Sequence, residues 1–327
     1  MRKLFICMLL MTFCICDVKA GYCVMNGNDG SVSDEDHMHD TQSVASISKI
    51  MTAIVAIEEG NLDDKWQVSE AIHQVDGSSI YLKIGDEVTL RDLLYGLMLR
   101  SGNDAAVEIA DHVGGSVEQF VEKMNEKAKQ IGMQDSIFRN PSGLDEEDGG
   151  NISSAYDMAL LMRYAMQNAT FRKIAGSKYY DYHGIRWMNK NKLLFTFDAT
   201  TAGKTGYTKK AGRTLVSSAS AKDLESIVVT LNTGGDFAFH QAKHEQHLSQ
   251  FEAYPIVKAG TYQLNGYEFE ITDTIFISMP KEKSTTLSLK SKIEGSILKI
   301  TINKDDLQLE YEFEGKKLSR KKGGWFS

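Results

Sequence analysis

Apolar and polar positions change their rhythm four times along this chain, and each rhythm predicts a different kind of element. Behind Arg2 and Lys3 runs an unbroken apolar stretch, Leu4 to Cys16, followed by Val18 and Ala20 in the small-residue positions of a cleavage site. The segment YCVMN then reads as a short strand with a turn at Asn26 to Gly30, and the polar residues after it show no clear second strand. From Ala45 the segment ASISKIMTAIVAIEEG is apolar nearly all round, which predicts a helix buried on every side and stopped by Gly60. Tyr81 to Ile84 is a short strand or loop. Thr89 caps a second helix in which Leu90, Leu93, Leu94, Leu97 and Met98 recur with the helical period, ending near Ser101.

Further helices are predicted over Asp104 to Val113, Val117 to Ile131 and Ala155 to Met166. From Thr201 the period drops to two, and GRTLVSSAS and ESIVVTLN read as adjacent antiparallel strands around a turn at Ala221 to Asp223. Beyond Tyr254 helical signals stop; GYEFEITDTIFISM, SILKITI and LQLEYEFEG alternate between turns. The expected organisation is a leader over 1–20, an α/β or α+β domain over 21–254, and a small all-β domain with a short basic tail over 255–327.

Composition narrows the function. With 42% hydrophobic residues and only 3 prolines in 327, the chain is a folded protein, not a disordered, collagenous or coiled-coil one. Net charge is -7 and the basic residues are scattered, so no nucleic-acid footprint is present. Cys7, Cys14 and Cys16 lie in the leader, leaving Cys23 as a buried strand thiol and no disulfide framework. The leader predicts export with cleavage after Ala20. His37, His39, His240, His244 and His247 show no ligand spacing near any motif, so neither metal nor cofactor is expected.

Three short motifs carry candidate chemistry: Ser46-Ile47-Ser48-Lys49, Ser101-Gly102-Asn103 and Lys204-Thr205-Gly206. Each is weak alone; their order and placement on predicted elements make the set specific. Positions i and i+3 share a helix face, so Lys49 can lie beside Ser46, and burial in an apolar helix pushes its amine toward the neutral form that serves as a base. Ser101 is placed to pass a proton and Asn103 to fix Lys49 or the substrate backbone. Lys204 to Gly206 read as an edge strand that pairs with an extended substrate and offers donors to a terminal carboxylate. The backbone N–H groups of Ser46 and Tyr207 are the candidate oxyanion donors. Trp66 and Trp187 are expected to pack.

These motifs with their flanks, ASISKIMTA, LMLRSGNDAA, NPSGLD and GKTGYTKKAGRTLV, resemble the low-molecular-weight penicillin-binding proteins that are D-alanyl-D-alanine carboxypeptidases, peptidase family S11, and among them the sporulation-specific members of spore-forming bacteria. The resemblance covers the chain to about Tyr254. It implies a penicillin-binding protein/β-lactamase-like transpeptidase fold, an antiparallel sheet flanked by helices, and an activity that removes the terminal D-alanine from peptidoglycan stem peptides ending in D-Ala-D-Ala. β-Lactam antibiotics are implied as covalent inhibitors, and Ser46, Lys49, Ser101, Asn103, Lys204 and Thr205 match the family's site positions. Many relatives carry a carboxylate-binding arginine where GGDFAFHQAK offers His240, which makes His240 a candidate substrate residue. The tail KLSRKKGGWFS is too short to anchor and is expected to give at most weak association with an anionic membrane surface. Two other functions share the serine and lysine: a serine β-lactamase, with Glu146 and Glu147 as places to seek its deacylating base, and a non-catalytic cell-wall binding module.

Overall fold

The computed structural model describes residues 20–73, 75–145, 149–282 and 284–318, so the leader before Ala20, Glu146, Glu147 and the basic end of the tail lie outside the described residues. A five-stranded antiparallel sheet runs in the spatial order Val32–Asp36, Gly21–Asn26, Leu224–Leu231, Gly212–Ala221, Thr200–Thr208. The first strand of the chain therefore sits inside the sheet, between Val32–Asp36 and a strand that arrives about two hundred residues later, and the strand carrying Lys204 to Gly206 lies at the far edge. Val32–Asp36 is a second strand where the polar stretch showed no clear one in the sequence. Its sequence VSDED hides the strand because it forms the other edge, where charges discourage pairing with foreign strands.

The helix predicted from Ala45 forms as a 3-10 turn, Ala45–Ser48, leading into an α-helix, Lys49–Glu59, with every residue from Lys49 to Ala56 buried. Around it pack helices Asn103–Gly114, Val117–Gln130 and Ala155–Met166. Leu90–Tyr95 is capped by the Thr89 side chain, which accepts from the Asp92 N–H. That helix widens into a π turn over Gly96–Arg100 and stops at Ser101, whose φ of 64° is left-handed. Widened turns of this kind often mark sites where one side chain must be re-aimed, and here the side chain is Ser101. Cys23 is fully buried in its strand, and burial pushes its thiol up to about 12, leaving it inert as a nucleophile.

Among the elements not legible in the sequence are helix Ala169–Gly176, hairpin Tyr179–Tyr182 with Ile185–Met188, and helix Asp236–Gln250, which covers the face of the sheet away from the nucleophile helix. The small β domain has its own core around Phe269, Ile277, Ile300 and Ile302. The expected boundary at Tyr254 falls inside strand Phe251–Val257, which pairs with Ile275–Pro280. A buried ion pair joins the β domain to the sheet: Lys304 Nζ lies 2.7 Å from Asp29 Oδ2, which also accepts from the Ser278 N–H at 2.8 Å. Removing one partner of such a pair strands a buried charge, at a cost of about 3 to 5 kcal/mol.

Candidate active site

Lys49 and Ser46 sit at the start of the buried helix, and Lys49 Nζ is 3.0 Å from Ser46 Oγ. The same amine contacts Asn103 Oδ1 at 2.7 Å and donates to the Ser142 carbonyl. An ammonium would fill all three contacts with donors. A neutral amine donates to the two oxygens that can only accept and turns its lone pair to the serine hydroxyl. Burial, then the Lys190 ammonium, lower the Lys49 pKa to about 7, against an opposing pull from Asp104. Near neutral pH a large fraction of Lys49 is thus the base that Ser46 needs.

Asn103 opens its helix with its side-chain nitrogen donating 2.6 Å to the Asp76 carbonyl, so the amide orientation that receives Lys49 is fixed by a second bond. Its neighbour Asp104 is buried and accepts from the Ser79 hydroxyl at 2.6 Å and from the N–H groups of Ile80 and Leu82. This carboxylate holds the loop that forms one lip of the cleft. Behind Lys49, the segment Asn140 to Leu144 closes the site. Gly143 has a φ of 75°, and a Cβ there would lie 2.0 Å from the Ala45 carbonyl, so only glycine lets the loop bring Ser142 to Lys49.

Lys204 is also buried; its Nζ donates 2.9 Å to Ser101 Oγ and 2.7 Å to the Thr205 carbonyl. Burial and the nearby Lys49 and Lys190 hold it well below the ordinary lysine value. A chain Lys204, Ser101 thus runs along one wall, with Lys49 and Ser46 at its floor. The edge strand passes close over the nucleophile: a Cβ on Gly206 would stand 3.0 Å from the Ser46 nitrogen and 2.4 Å from Thr214 Oγ1. Ser46, Ser78, Ser101, Lys190, Lys192, Thr205, Gly206, Tyr207, Arg213, Asp236 and Phe237 line a cleft of roughly 360 Å³. Every motif residue foreseen from the sequence converges on this cleft or directly beneath it, except His240.

His240 is wholly buried under the opposite face of the sheet, its Nδ1 2.6 Å from Ser217 Oγ and its Nε2 2.9 Å from Thr230 Oγ1. Burial drives its pKa well down, so it is a neutral packing residue without access to the cleft. The residues that sequence reasoning missed are Asp104, Lys190 and Arg213, which act through their side chains, and Ser142, which acts through its carbonyl. None stands at motif spacing; only the folded loops and strands bring them to the cleft. Trp66 and Trp187 pack as expected, Trp66 over His112 and Trp187 over Tyr182.

The sequence matches the S11 peptidases, D-alanyl-D-alanine carboxypeptidase, over residues 15–235. The chain belongs to this family. It is 34% identical over 252 residues to the D-alanyl-D-alanine carboxypeptidase DacF of Bacillus subtilis, covering 70% of this chain but 62% of the relative, less than two thirds of its length. It is 28% identical to DacA of Haemophilus influenzae, covering 91% of this chain and 82% of that one. The solved structure of penicillin-binding protein 6B from Escherichia coli superposes with a TM-score of 0.70 at 27% identity, covering 89% and 93% of the two chains. The expected fold, helices around an antiparallel sheet with a β-rich C-terminal region, is that of the solved penicillin-binding proteins. Among the described residues no helix is long and apolar enough to cross a membrane.

Proposed function

We propose that this protein is a serine D-Ala-D-Ala carboxypeptidase that removes the terminal D-alanine from peptidoglycan stem peptides through an acyl-enzyme on Ser46. The observation that carries the reading is the buried Lys49 amine 3.0 Å from Ser46 Oγ under a free sheet edge. The substrate's C-terminal residues lie extended along Lys204 to Tyr207, as a strand added to that edge. Lys49 takes the Ser46 proton while Oγ attacks the scissile carbonyl, and the oxyanion forms between the N–H groups of Ser46 and Tyr207. Ser101 gives its proton to the departing amine and is resupplied from Lys204. Water then attacks the ester, its proton passing through Ser101 to refill the Lys204 amine, while the Lys49 ammonium returns its proton to Ser46 Oγ as the acyl group leaves.

Thr205 Oγ and the surplus of cations around the cleft suit the free carboxylate of the leaving D-alanine. β-Lactams present a reactive carbonyl and a carboxylate at comparable spacing and acylate the same serine. The leader pattern and the family support action outside the cytoplasm, in cell-wall maturation, with the sporulation-specific members as the branch whose motifs this chain resembles. The basic tail adds at most a weak, salt-sensitive attraction to an anionic membrane surface.

The test is incubation with a pentapeptide ending in D-Ala-D-Ala while free D-alanine is measured, together with mass spectrometry after penicillin treatment. One equivalent of D-alanine per peptide and a single adduct on the Ser46 peptide are expected. Undiminished release by Ser46→Ala overturns the assignment.

A further inference from the structure

Arg213 stands one strand in from the sheet edge, paired directly with Tyr207, while Thr205 lies two residues before Tyr207 on the edge strand. Directly opposed residues and residues two apart share a face of a sheet, so Arg213, Tyr207 and Thr205 project to the same side. All three line the cleft that holds Ser46. The guanidinium is fixed from behind: Nε is 3.2 Å from Asp236 Oδ2 and Nη2 is 2.8 Å from Asp236 Oδ1. The Arg213 side chain is 48% exposed while that of Asp236 is only 3% exposed. Asp236 begins the helix Asp236–Gln250, and its Oδ1 also accepts from the Phe237 N–H at 2.9 Å. The Phe237 ring, 5.8 Å from the guanidinium carbon, limits the side chain on another face.

Asp236 occupies the Nε–Nη2 edge of the guanidinium fork, and Nη1 remains as a donor for a second acceptor on a side chain that lines the cleft. A half-exposed ion pair adds little stability, so burying a carboxylate to hold such an arginine is poorly explained by folding alone. It is well explained by orientation: the planar fork matches a carboxylate, and a fork fixed in advance loses little entropy on binding one. His240, the residue expected from the sequence to do this work, is buried behind the sheet.

We propose that Arg213 is the specificity-determining residue for the free carboxylate at the leaving end of the substrate, and that Asp236 is its positioning residue. The inference rests on the carboxypeptidase reading and names the group that makes it an exopeptidase. With Thr205 Oγ on one side and the Arg213 fork on the other, a terminal carboxylate is held so that the carbonyl one residue earlier meets Ser46. A chain that is amidated or continues past this point forfeits the charge-assisted contacts.

The experiment measures kcat/KM on a D-Ala-D-Ala peptide as free acid and as C-terminal amide, for wild type, Arg213→Gln, Arg213→Lys and Asp236→Asn. Acylation by penicillin and by its methyl ester gives the same ratio where the amide is cut too slowly to time. Arg213→Gln should lower the acid-to-amide ratio by roughly 10- to 150-fold, the range expected for charged hydrogen bonds. Arg213→Lys should restore part of it, and Asp236→Asn should lower it less than Arg213→Gln. A merely structural role would change both substrates alike. An unchanged ratio in Arg213→Gln, with D-alanine still released, overturns this assignment and leaves the carboxypeptidase reading standing. Failure of the wild type to release D-alanine from the free acid overturns both.

Discussion

Lys49 Nζ lies 3.0 Å from Ser46 Oγ and is held there by two oxygens that can only accept, Asn103 Oδ1 and the Ser142 carbonyl. The arrangement is directional. Whatever proton the amine lacks is missing on the side of the serine, because the other two positions require donors. Helix periodicity supplies the nearness of Ser46 and Lys49, and the loop through Ser142 supplies the direction.

Replacing Lys49 by Met keeps the length and burial of the side chain and removes the base. Acylation by penicillin should fall by roughly 10²- to 10⁴-fold. The wild-type rate should rise with pH through about 7, where Lys49 loses its proton, and the variant should lose that rise. Stopped-flow acylation across pH 5 to 9 measures both, and a persisting rise would assign the base to another group.

Gly206 tests how closely the edge strand must approach. A Cβ there would stand 3.0 Å from the Ser46 nitrogen, 3.1 Å from the Ile47 nitrogen and 2.4 Å from Thr214 Oγ1, so Gly206→Ala must push the strand away from the nucleophile. Displacements near 1 Å at a reacting centre cost roughly 100-fold in rate. The acylation rate should drop by about that factor, while thermal unfolding shows a folded protein. Unchanged acylation would mean that the oxyanion donors do not depend on this approach.

Much of this was legible in the sequence, and the exceptions have physical causes. The helix Ala155–Met166 and the two strands around Ala221 to Asp223 appear where local periodicity put them, since each buries one regular face. The helix Asp236–Gln250 escaped because the face it buries carries His240, His244 and His247, which are polar by any hydropathy count. Their burial is made tolerable by hydroxyls of Ser217, Ser226, Thr230 and Ser33, which come from three different strands, a match invisible along the chain. The hairpin Tyr179–Met188 turns through His183 and Gly184, with φ of 45° and 81°, a pair suited to a tight hairpin but less telling than Asn-Gly. Within the site, the serines and lysines announced themselves by spacing; Asp104 and Arg213 did not, because their partners lie 22 to 25 residues away in both cases.

Those three histidines make the sheet acid-sensitive. Burial is the first cause in each: it lowers His244 from 6.5 to about 3, His247 from 6.5 to about 4, and His240 well below 6.5. The unfolded chain binds these protons first, so their contribution is fully present above pH about 6.5 and is lost as pH falls toward the folded values. Each histidine contributes a slope of about 1.4 kcal/mol per pH unit within that window. Urea unfolding at pH 7, 6, 5 and 4.5 should show a steep loss of stability, and His244→Gln should reduce the slope by about one proton. An identical slope in the variant would place the acid sensitivity elsewhere.

The field around Lys49 is set by two residues of opposite sign, which allows its proton affinity to be moved both ways without touching Ser46 or Lys49. The Lys190 ammonium lowers the Lys49 pKa and the Asp104 carboxylate raises it. Lys190→Gln removes a positive neighbour, so the Lys49 ammonium becomes easier to keep and the pH at which acylation switches on should rise. Asp104→Asn removes a negative one, so the same limb should move to lower pH. The amide of that variant also leaves fewer acceptors for the Ser79 hydroxyl and the N–H groups of Ile80 and Leu82, so its maximal rate should fall as the cleft lip loosens. The position of the limb, not its height, is the readout, and it is obtained from acylation rates against pH for the wild type and the two variants. Shifts in the same direction for both, or none for either, would show that the charge field reaching Lys49 is not the one that this geometry describes.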